Sequence, residues 1–113
     1  YNVKVDFLYN NDIAIGDSFF AVNVYHIVME ALTNAVKHGK ATHIRVSVKS
    51  DKNFLVEIKD NGCGFDVNQK SSGIGLKNIR YRAKIIGGKV NISSEIGKGT
   101  CLKLELKERG MYD

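Results

Sequence analysis

The sequence lacks the residues and segments on which several classes of protein depend. Its 113 residues include two cysteines, Cys63 and Cys101, which are too few for a disulfide framework and lack the spacing of a zinc site. No apolar run approaches the ~20 residues of a membrane-spanning helix, and no signal peptide is visible. There is no internal repeat, low-complexity run or linker. These absences predict one compact cytoplasmic domain, 1–113, with both thiols reduced.

The chain begins at Tyr1 rather than at a methionine, so we expect it to be part of a longer protein that is either soluble or membrane-anchored. Its 17 basic and 12 acidic side chains give a net charge of +5. A mildly basic domain can meet nucleic acid, an acidic protein or a phosphorylated ligand. No stacking aromatic platform of the kind that binds single-stranded nucleic acid is evident, which disfavours the first of these partners.

The hydrophobic pattern predicts the element order β-α-β-β-loop-α-β-β. Apolar residues alternate with polar ones at 2–8, 44–49, 54–59, 90–92 and 102–107, and recur at helical spacing at 18–38 and 76–86. Residues 60–75 are rich in glycine and form the predicted loop. Strands joined by short turns indicate an α+β fold. It is a two-layer sandwich in which helices cover one face of a mixed, mostly antiparallel sheet of about five strands.

The long predicted helix carries one candidate set of polar residues. His26, Glu30 and Asn34 lie on one stripe of the helix, and Lys37 lies beside Glu30. A carboxylate, an amide and an ammonium group therefore border the apolar face, where a pocket over the sheet would open. A solvated polar face explains the same pattern, and we expect His26 and Met29 to belong to such a face.

Three glycine motifs follow in the order of the chain. DNGCGF at 60–65 comes directly after a strand, SSGIGL at 71–76 leads into the second helix, and GKGT at 97–100 precedes the last strand. Glycines allow close approach of the backbone to a ligand, and a helix N-terminus favours an anion. The phosphate-binding sequences G-x-x-x-x-G-K-[ST] and G-x-G-x-x-G are both absent. Each motif alone is compatible with an ordinary turn.

Together, the helix asparagine and the three glycine motifs resemble the N, G1, G2 and G3 boxes of the histidine-kinase-like ATPases of the Bergerat fold. The resemblance covers residues 18–107. The EALTNAVKH segment at 30–38 is similar to a histidine kinase N box. The short loop between Phe65 and Gly73 resembles the reduced ATP lid of kinases that pair with NarL-type response regulators, as does the helix that follows it.

The resemblance implies a site for ATP and Mg²⁺. Asp60 would bind the adenine amino group with support from Thr100, Asn34 would hold Mg²⁺, and Glu30 would position or deprotonate the attacking group. The remaining residues implied to contact ATP, through close backbone approach or phosphate binding, are Gly62, Gly64, Gly73, Gly75, Leu76, Lys37 and His38.

The resemblance also implies what is missing. Kinases of this family phosphorylate a histidine on a separate dimerisation domain and pass the phosphoryl group to a response regulator. His26, His38 and His43 lack the context of that histidine, so we expect this chain alone to bind ATP and barely turn it over. We expect the parent to be a homodimer, with no nucleic-acid partner and no direct membrane contact through this domain.

Four alternatives remain open. They are an anti-sigma-factor serine kinase of the same fold, a gyrase- or chaperone-type ATPase, a module that has lost ATP binding, and a nucleic-acid-binding module. A redox effect is a further hypothesis, because Cys63 lies in the G1 box and Cys101 follows Thr100 in the G3 box. The two thiols would then lie near each other or near the nucleotide.

Overall fold

The computed structural model describes residues 3–9, 18–50, 53–66 and 75–107. The strands are β1 Lys4–Tyr9, β2 His43–Ser50, β3 Asn53–Asp60, β4 Lys89–Glu95 and β5 Gly99–Lys107, and the helices are α1 Ser18–Thr33 and α2 Leu76–Ile85. A π-helical segment, Asn34–His38, continues α1 without a break. The predicted element order is confirmed.

The five strands form one mixed sheet in the order β1-β2-β3-β5-β4. Strand β1 runs parallel to β2, and the β2–β3, β3–β5 and β4–β5 pairs are antiparallel. The longest antiparallel ladder places Asp60, the last residue of β3, opposite Thr100 near the start of β5. The register therefore brings the G1 and G3 motifs, which are far apart in sequence, to one end of the sheet.

One face of the sheet is buried under the helices because apolar residues alternate along each central strand. The core contains residues from both layers: Ile44, Val46, Phe54, Val56, Ile58, Leu102, Leu104 and Leu106 from the sheet, and Phe20, Val24, Ile27, Leu76, Ile79 and Ala83 from the helices. The other face carries exposed charged side chains such as Arg45, Lys59 and Lys103. The structure thus confirms the expected two-layer α+β fold.

The long helix contradicts the expectation that no segment is long and apolar enough to span a membrane. Ser18–His38 has 21 residues and contains an 18-residue window with a mean hydropathy of 1.2, which is sufficient for a membrane span by length and composition alone. Its Phe20, Val24, Ile27 and Ala35 nevertheless lie in the core. Packing against the sheet accounts for part of the apolar character of this helix, because Phe19, Val22, Tyr25 and Met29 on the same helix are exposed.

The end of the long helix also differs from the uniform α-helix predicted for 18–38. At Asn34 the backbone widens to π-helical hydrogen bonding, and the Gly39 amide donates to the Asn34 carbonyl at 2.8 Å. Gly39 ends the helix as expected, but its φ of −88° is right-handed, and the left-handed residue is Lys40 with φ of 52°. Such π-helical turns are frequent at functional sites, and this one carries three of the predicted site residues.

Candidate functional site

A cavity of about 140 Å³ opens between the π-helical segment, the Asp60 end of the sheet and the start of α2. Cavities of about this size can hold a small aromatic ring. Most of its wall is aliphatic, including Ile58, Ile79 and Leu102. The residues in its wall that were predicted as site residues are Asn34, His38, Asp60, Gly64, Leu76 and Thr100. The cavity is thus an apolar slot with polar groups at its edges, as expected for a small-molecule site.

Asp60 is the acidic group of this cavity. Its Oδ1 accepts a hydrogen bond from the Gly62 amide at 2.7 Å, and the Thr100 backbone also donates to the carboxylate. Burial raises the pKa of the Asp60 carboxyl, and the two backbone hydrogen bonds oppose that rise. A carboxylate has about four acceptor positions, so Asp60 retains acceptor capacity for a ligand.

The loop after Asp60 is held by close backbone contacts on both sides. The Cys63 amide donates to the Gly39 carbonyl at 2.8 Å, and the Cys63 carbonyl accepts from the Gly97 amide at 2.6 Å. A Cβ at Gly62 would lie 2.7 Å from the Gly39 oxygen, while Gly64 has a φ of +67° and faces the Glu95 carbonyl. Both glycines are therefore required by the packing of the loop itself.

Asn61 is a structural residue of the site that the sequence analysis did not single out. Its Oδ1 accepts from the Thr42 and His43 amides, both at 3.0 Å, and its Nδ2 donates to the Thr42 hydroxyl at 3.0 Å. The Asn61 side chain thereby ties the end of β3 to the start of β2. An asparagine before a glycine is an ordinary turn signal, so its sequence context gave no indication of this long-range role.

Ser94, on β4, also lies outside every predicted motif. Its Oγ accepts from the Phe65 amide at 2.9 Å, donates to the Gly99 carbonyl at 3.1 Å and lies 2.8 Å from the Thr100 Oγ1. One half-buried hydroxyl thus joins the loop after β3 to the β4–β5 turn. Only the pairing of Ser94 with Thr100 across two strands reveals this contact.

On the helical side, only some of the predicted site residues lie in the wall of the cavity. Asn34 and His38 line the cavity, whereas Lys37 is exposed and is absent from the cavity wall. Glu30 lies one turn earlier, in a smaller cavity of about 70 Å³ that it shares with Arg82 and other polar residues between the two helices. The structure therefore places Glu30 beside the main cavity rather than in its wall.

Gly75 connects this helical side to the start of α2. It has a φ of +80°, and a Cβ there would overlap the Glu30 carboxylate. Gly75 is the N-cap residue of α2 and makes no side-chain cap, so it supplies no side-chain acceptor to the amides of the first turn, which begins at Leu76. Such a helix start attracts anions. Gly73 and residues 67–72 of the predicted lid between Phe65 and Gly73 lie outside the described residues.

The two cysteines are free and have different surroundings. Cys63 is exposed, and its Sγ lies 3.5 Å from the His38 carbonyl oxygen. Cys101 alternates with Thr100 and Leu102 and so faces the other side of the sheet, where burial raises the pKa of its thiol. Cys101 is therefore not in the wall of the cavity, which weakens the geometric basis of the redox hypothesis.

These features define a class of protein. A mixed sheet covered on one face by helices, with an aspartate at a strand end and glycine loops around an apolar slot, is the architecture of an ATP-binding domain of the Bergerat type. The family described as histidine kinase-, DNA gyrase B-, and HSP90-like ATPases matches residues 21–110. The chain belongs to this family.

Solved structures agree with this assignment. The chain is similar to the ATP-binding domain of PrrB from Mycobacterium tuberculosis, with a TM-score of 0.79, 25% identity and coverage of 97% of this chain and 83% of that one. It also shares its fold with the histidine kinase AdeS of Acinetobacter baumannii, with a TM-score of 0.78, 14% identity and coverage of 96% and 56%.

A third similar structure is the blue-light activated histidine kinase of Erythrobacter litoralis EL346, with a TM-score of 0.74, 21% identity and coverage of 95% of this chain. This chain spans 36% of that kinase and 52% of its separately solved histidine kinase domain. The fold is that of a histidine kinase ATPase domain, and it corresponds to only part of these longer proteins.

Proposed function

We propose that this chain is the ATP-binding catalytic part of a sensor histidine kinase. It would hold ATP so that the γ-phosphate reaches a histidine on a separate dimerisation domain. The single observation that carries this proposal is the acidic, apolar-walled cavity. Its wall includes Asp60 and Thr100 from the sheet, Asn34 from the π-helical segment and Leu76 from the start of α2; we assign the base to the sheet side and the phosphates to the helical side.

The base of the nucleotide fits the end of the cavity formed by the sheet. Asp60 has acceptor positions beyond its two backbone hydrogen bonds, and an exocyclic amine supplies N–H donors to such a carboxylate. The aliphatic side chains of Ile58 and Leu102 would contact the flat faces of the base. Thr100, directly across the ladder from Asp60, would support the same edge of the base.

The phosphates fit the helical end. Among the described residues, no three His, Cys, Asp or Glu side chains converge into a preformed metal site. Mg²⁺ needs no such cluster, since it takes one or two protein oxygens and completes its shell with water and phosphate oxygens. The Asn34 amide oxygen would be the protein ligand, and bound Mg²⁺ would neutralise phosphate charge. Hydrogen bonds to the phosphates would come from His38 and the Leu76 amide. Lys37 would add positive charge from the solvent side.

Glu30 would act next to the transferred phosphoryl group. It lies against Gly75 at the start of α2, so it borders the place where we assign the γ-phosphate. In phosphoryl transfer most catalysis comes from positioning and charge neutralisation. Glu30 would orient or deprotonate the incoming histidine, and the chain alone would turn over ATP very slowly because it lacks a phosphoacceptor in this position.

A response regulator of the NarL type remains our proposal for the downstream partner, on the basis of the sequence of the lid and of α2. The domain would work as part of a cytoplasmic kinase homodimer. The anti-sigma serine kinase is the alternative that needs a direct test, since it would use the same ATP site.

The experiment has two steps. Calorimetric titration of the chain with ATP, with and without Mg²⁺, should give saturable binding that Mg²⁺ strengthens, and absence of binding would refute the ATP site. Labelled ATP is then supplied with a histidine-bearing dimerisation domain or with an anti-anti-sigma protein. Transfer to the former supports the kinase assignment, and transfer only to the latter would replace it with the serine kinase.

A further inference from the structure

The hydroxyl of Ser94 lies within hydrogen-bond distance of three partners, the Phe65 amide, the Gly99 carbonyl and the Thr100 hydroxyl. The Phe65 amide can only donate to Ser94 Oγ, and the Gly99 carbonyl can only accept from it. A serine hydroxyl has one proton and two lone pairs. The arrangement that makes all three hydrogen bonds at once directs this proton to Gly99 and uses one lone pair to accept from Phe65.

The remaining lone pair of Ser94 faces Thr100. The two hydroxyl oxygens are 2.8 Å apart, which is an ordinary hydrogen-bond distance between hydroxyls. Since the Ser94 proton is directed to Gly99, the hydrogen bond between the hydroxyls requires the proton of Thr100. The hydrogen bonds thus run in one direction, from Thr100 to Ser94 and from Ser94 to the Gly99 carbonyl.

This direction determines what Thr100 can offer to a ligand. Thr100 and Asp60 both line the main cavity, whereas Ser94 is absent from that wall and lines, with Thr100 and Asp60, a second and more open pocket. With its proton directed to Ser94, the Thr100 hydroxyl presents only lone pairs to the cavity. Ionised Asp60 likewise only accepts hydrogen bonds. This end of the cavity is therefore a pair of acceptors that matches an amino group, directly or through a water molecule.

We propose that Ser94 is a positioning residue that holds the Thr100 hydroxyl as an acceptor and thereby makes the cavity select 6-amino purines over 6-oxo purines. The inference rests on the proposed function, because it assumes that a purine nucleotide occupies the cavity. A 6-oxo purine presents a carbonyl oxygen where the amino group would be, and this oxygen meets two acceptors. Recognition by a fixed polar partner discriminates more strongly than an apolar wall does.

The test is to titrate the chain with Mg²⁺-ATP and Mg²⁺-ITP, which differ in the 6-position of the base and in the N1 proton. The unaltered chain should prefer ATP. In Ser94→Ala the Thr100 hydroxyl is free to rotate and donate, so the ATP-to-ITP preference should fall by about tenfold. Part of this change should be a gain in ITP affinity, which a loss of structure would not produce.

Two variants serve as matched controls. Ser93→Ala removes the neighbouring serine, which is exposed on the opposite face of β4, and it should leave both affinities unchanged. Ser94→Thr keeps a hydroxyl at the same position on a strand and should restore the ATP-to-ITP preference. Thermal unfolding of each variant reports whether the fold is intact.

The outcomes distinguish failure of the proposed ATP-binding function from failure of the inference about Ser94. Failure of the unaltered chain to bind ATP would refute the proposed function and this inference with it. Binding of ATP with an unchanged preference in Ser94→Ala would overturn the inference alone. If Ser94→Ala does not fold, Thr100→Val decides, because it leaves the contacts of Ser94 with Phe65 and Gly99 intact. An unchanged preference in Thr100→Val would then overturn the inference.

Discussion

The two ends of the cavity differ in how far they are organised before any ligand binds. At the sheet end, Asp60, Thr100 and Ser94 are joined by hydrogen bonds to one another or to the backbone of adjoining loops. At the helical end, the side chains of Glu30 and Asn34 make no hydrogen bond within the described ranges 3–9, 18–50, 53–66 and 75–107. The proposed base site is thus held by hydrogen bonds before a ligand binds, whereas the proposed phosphate site would depend on Mg²⁺ and the nucleotide for its order.

This difference has a physical reason. The base is neutral and flat, so rigid acceptors and an apolar slot recognise it at little entropic cost. The triphosphate carries a large charge and binds together with a metal ion that retains several water molecules. Side chains that stay solvated when the ligand is absent allow such a ligand to be exchanged during catalysis. The following predictions test this contrast, in order of decreasing effect.

Substitution of Asp60 by Asn should have the largest effect. It removes the charged acceptor of the base site, so ATP affinity should fall by about 1.5–3 kcal/mol, or roughly 10- to 100-fold. Stability should be preserved, because burial disfavours the ionised carboxyl that Asn replaces. Calorimetry and thermal unfolding measure the two quantities, with Glu105→Gln on the exposed face as the control. A large loss of stability would instead make Asp60 a structural residue.

The same carboxyl should make binding of the base pH-dependent. The pKa of Asp60 is raised by burial, so its acceptor is present above that pKa and is lost as pH falls through it, earlier than for an ordinary aspartate. The raised pKa also means that ionised Asp60 lowers the stability of the unliganded fold above its pKa, and protonation in acid relieves this effect. Adenosine, which carries no phosphate, is the ligand for an NMR titration across this range.

The control for this pH dependence is Asp60→Asn, in which weak adenosine binding should no longer change with pH in the acid range. Asp6 provides an internal contrast. Its pKa is lowered, chiefly by the hydrogen bond to His43 at 2.6 Å, so its contribution to stability is present above the ordinary aspartate pKa and is lost as pH falls. Adenosine binding that titrates identically in the variant would exclude Asp60 as the group responsible.

Asn34→Ala should weaken Mg²⁺-dependent binding of ATP without changing the binding of adenosine. It removes the proposed Mg²⁺ ligand from the helical end, so the strengthening of ATP binding by Mg²⁺ should fall by about tenfold. Affinity for adenosine should not change, because the base site is built by other elements. Asn91→Ala, an exposed asparagine of β4, is the matched control. Equal losses of ATP and adenosine binding would show that the two ends are not independent.

Asn61→Ala should lower the free energy of unfolding. The variant loses hydrogen bonds to the Thr42 and His43 backbone and to the Thr42 hydroxyl, and we expect the free energy of unfolding to drop by about 1–2 kcal/mol. Denaturant titration measures the drop, and Asn91→Ala should leave stability within about 0.5 kcal/mol. A stability equal to that of the unaltered chain would indicate that water replaces these hydrogen bonds.

Lys37→Ala should have the smallest effect. Lys37 is exposed and lies outside the cavity wall, so its attraction for phosphate is screened by solvent and salt. We expect a two- to threefold loss of ATP affinity, about 0.5 kcal/mol, that disappears at high salt. Lys49→Ala, an exposed lysine of β2, should have no effect. A salt-independent loss of tenfold or more would place Lys37 in direct contact with the phosphates.

Much of this architecture can be predicted from the sequence, because each element carries its own local signal. Alternation such as that at Phe54, Val56 and Ile58 marks a strand buried on one face, and helical spacing marks α1 and α2. The order of the motifs pointed to the family, which the family match then confirmed. The individual roles of the site residues remain predictions.

Three features could not be predicted, because they depend on contacts between residues distant in sequence. The π-helical winding at Asn34–His38 has no local signal in composition or spacing. Asn61 and Ser94 are short polar residues whose partners lie on other elements. The position of Glu30 beside the cavity depends on how α1 packs against α2.

The sequence alone determined the elements, the sheet type and the motifs of the ATP slot, because periodicity and glycine placement act over a few residues. Only the tertiary structure decided which groups meet. Strand register brings Asp60 opposite Thr100, and the next ladder brings Thr100 against Ser94. Hydrogen-bond direction then follows from which atoms can donate and which can only accept, and these partners are known only once the chain has folded.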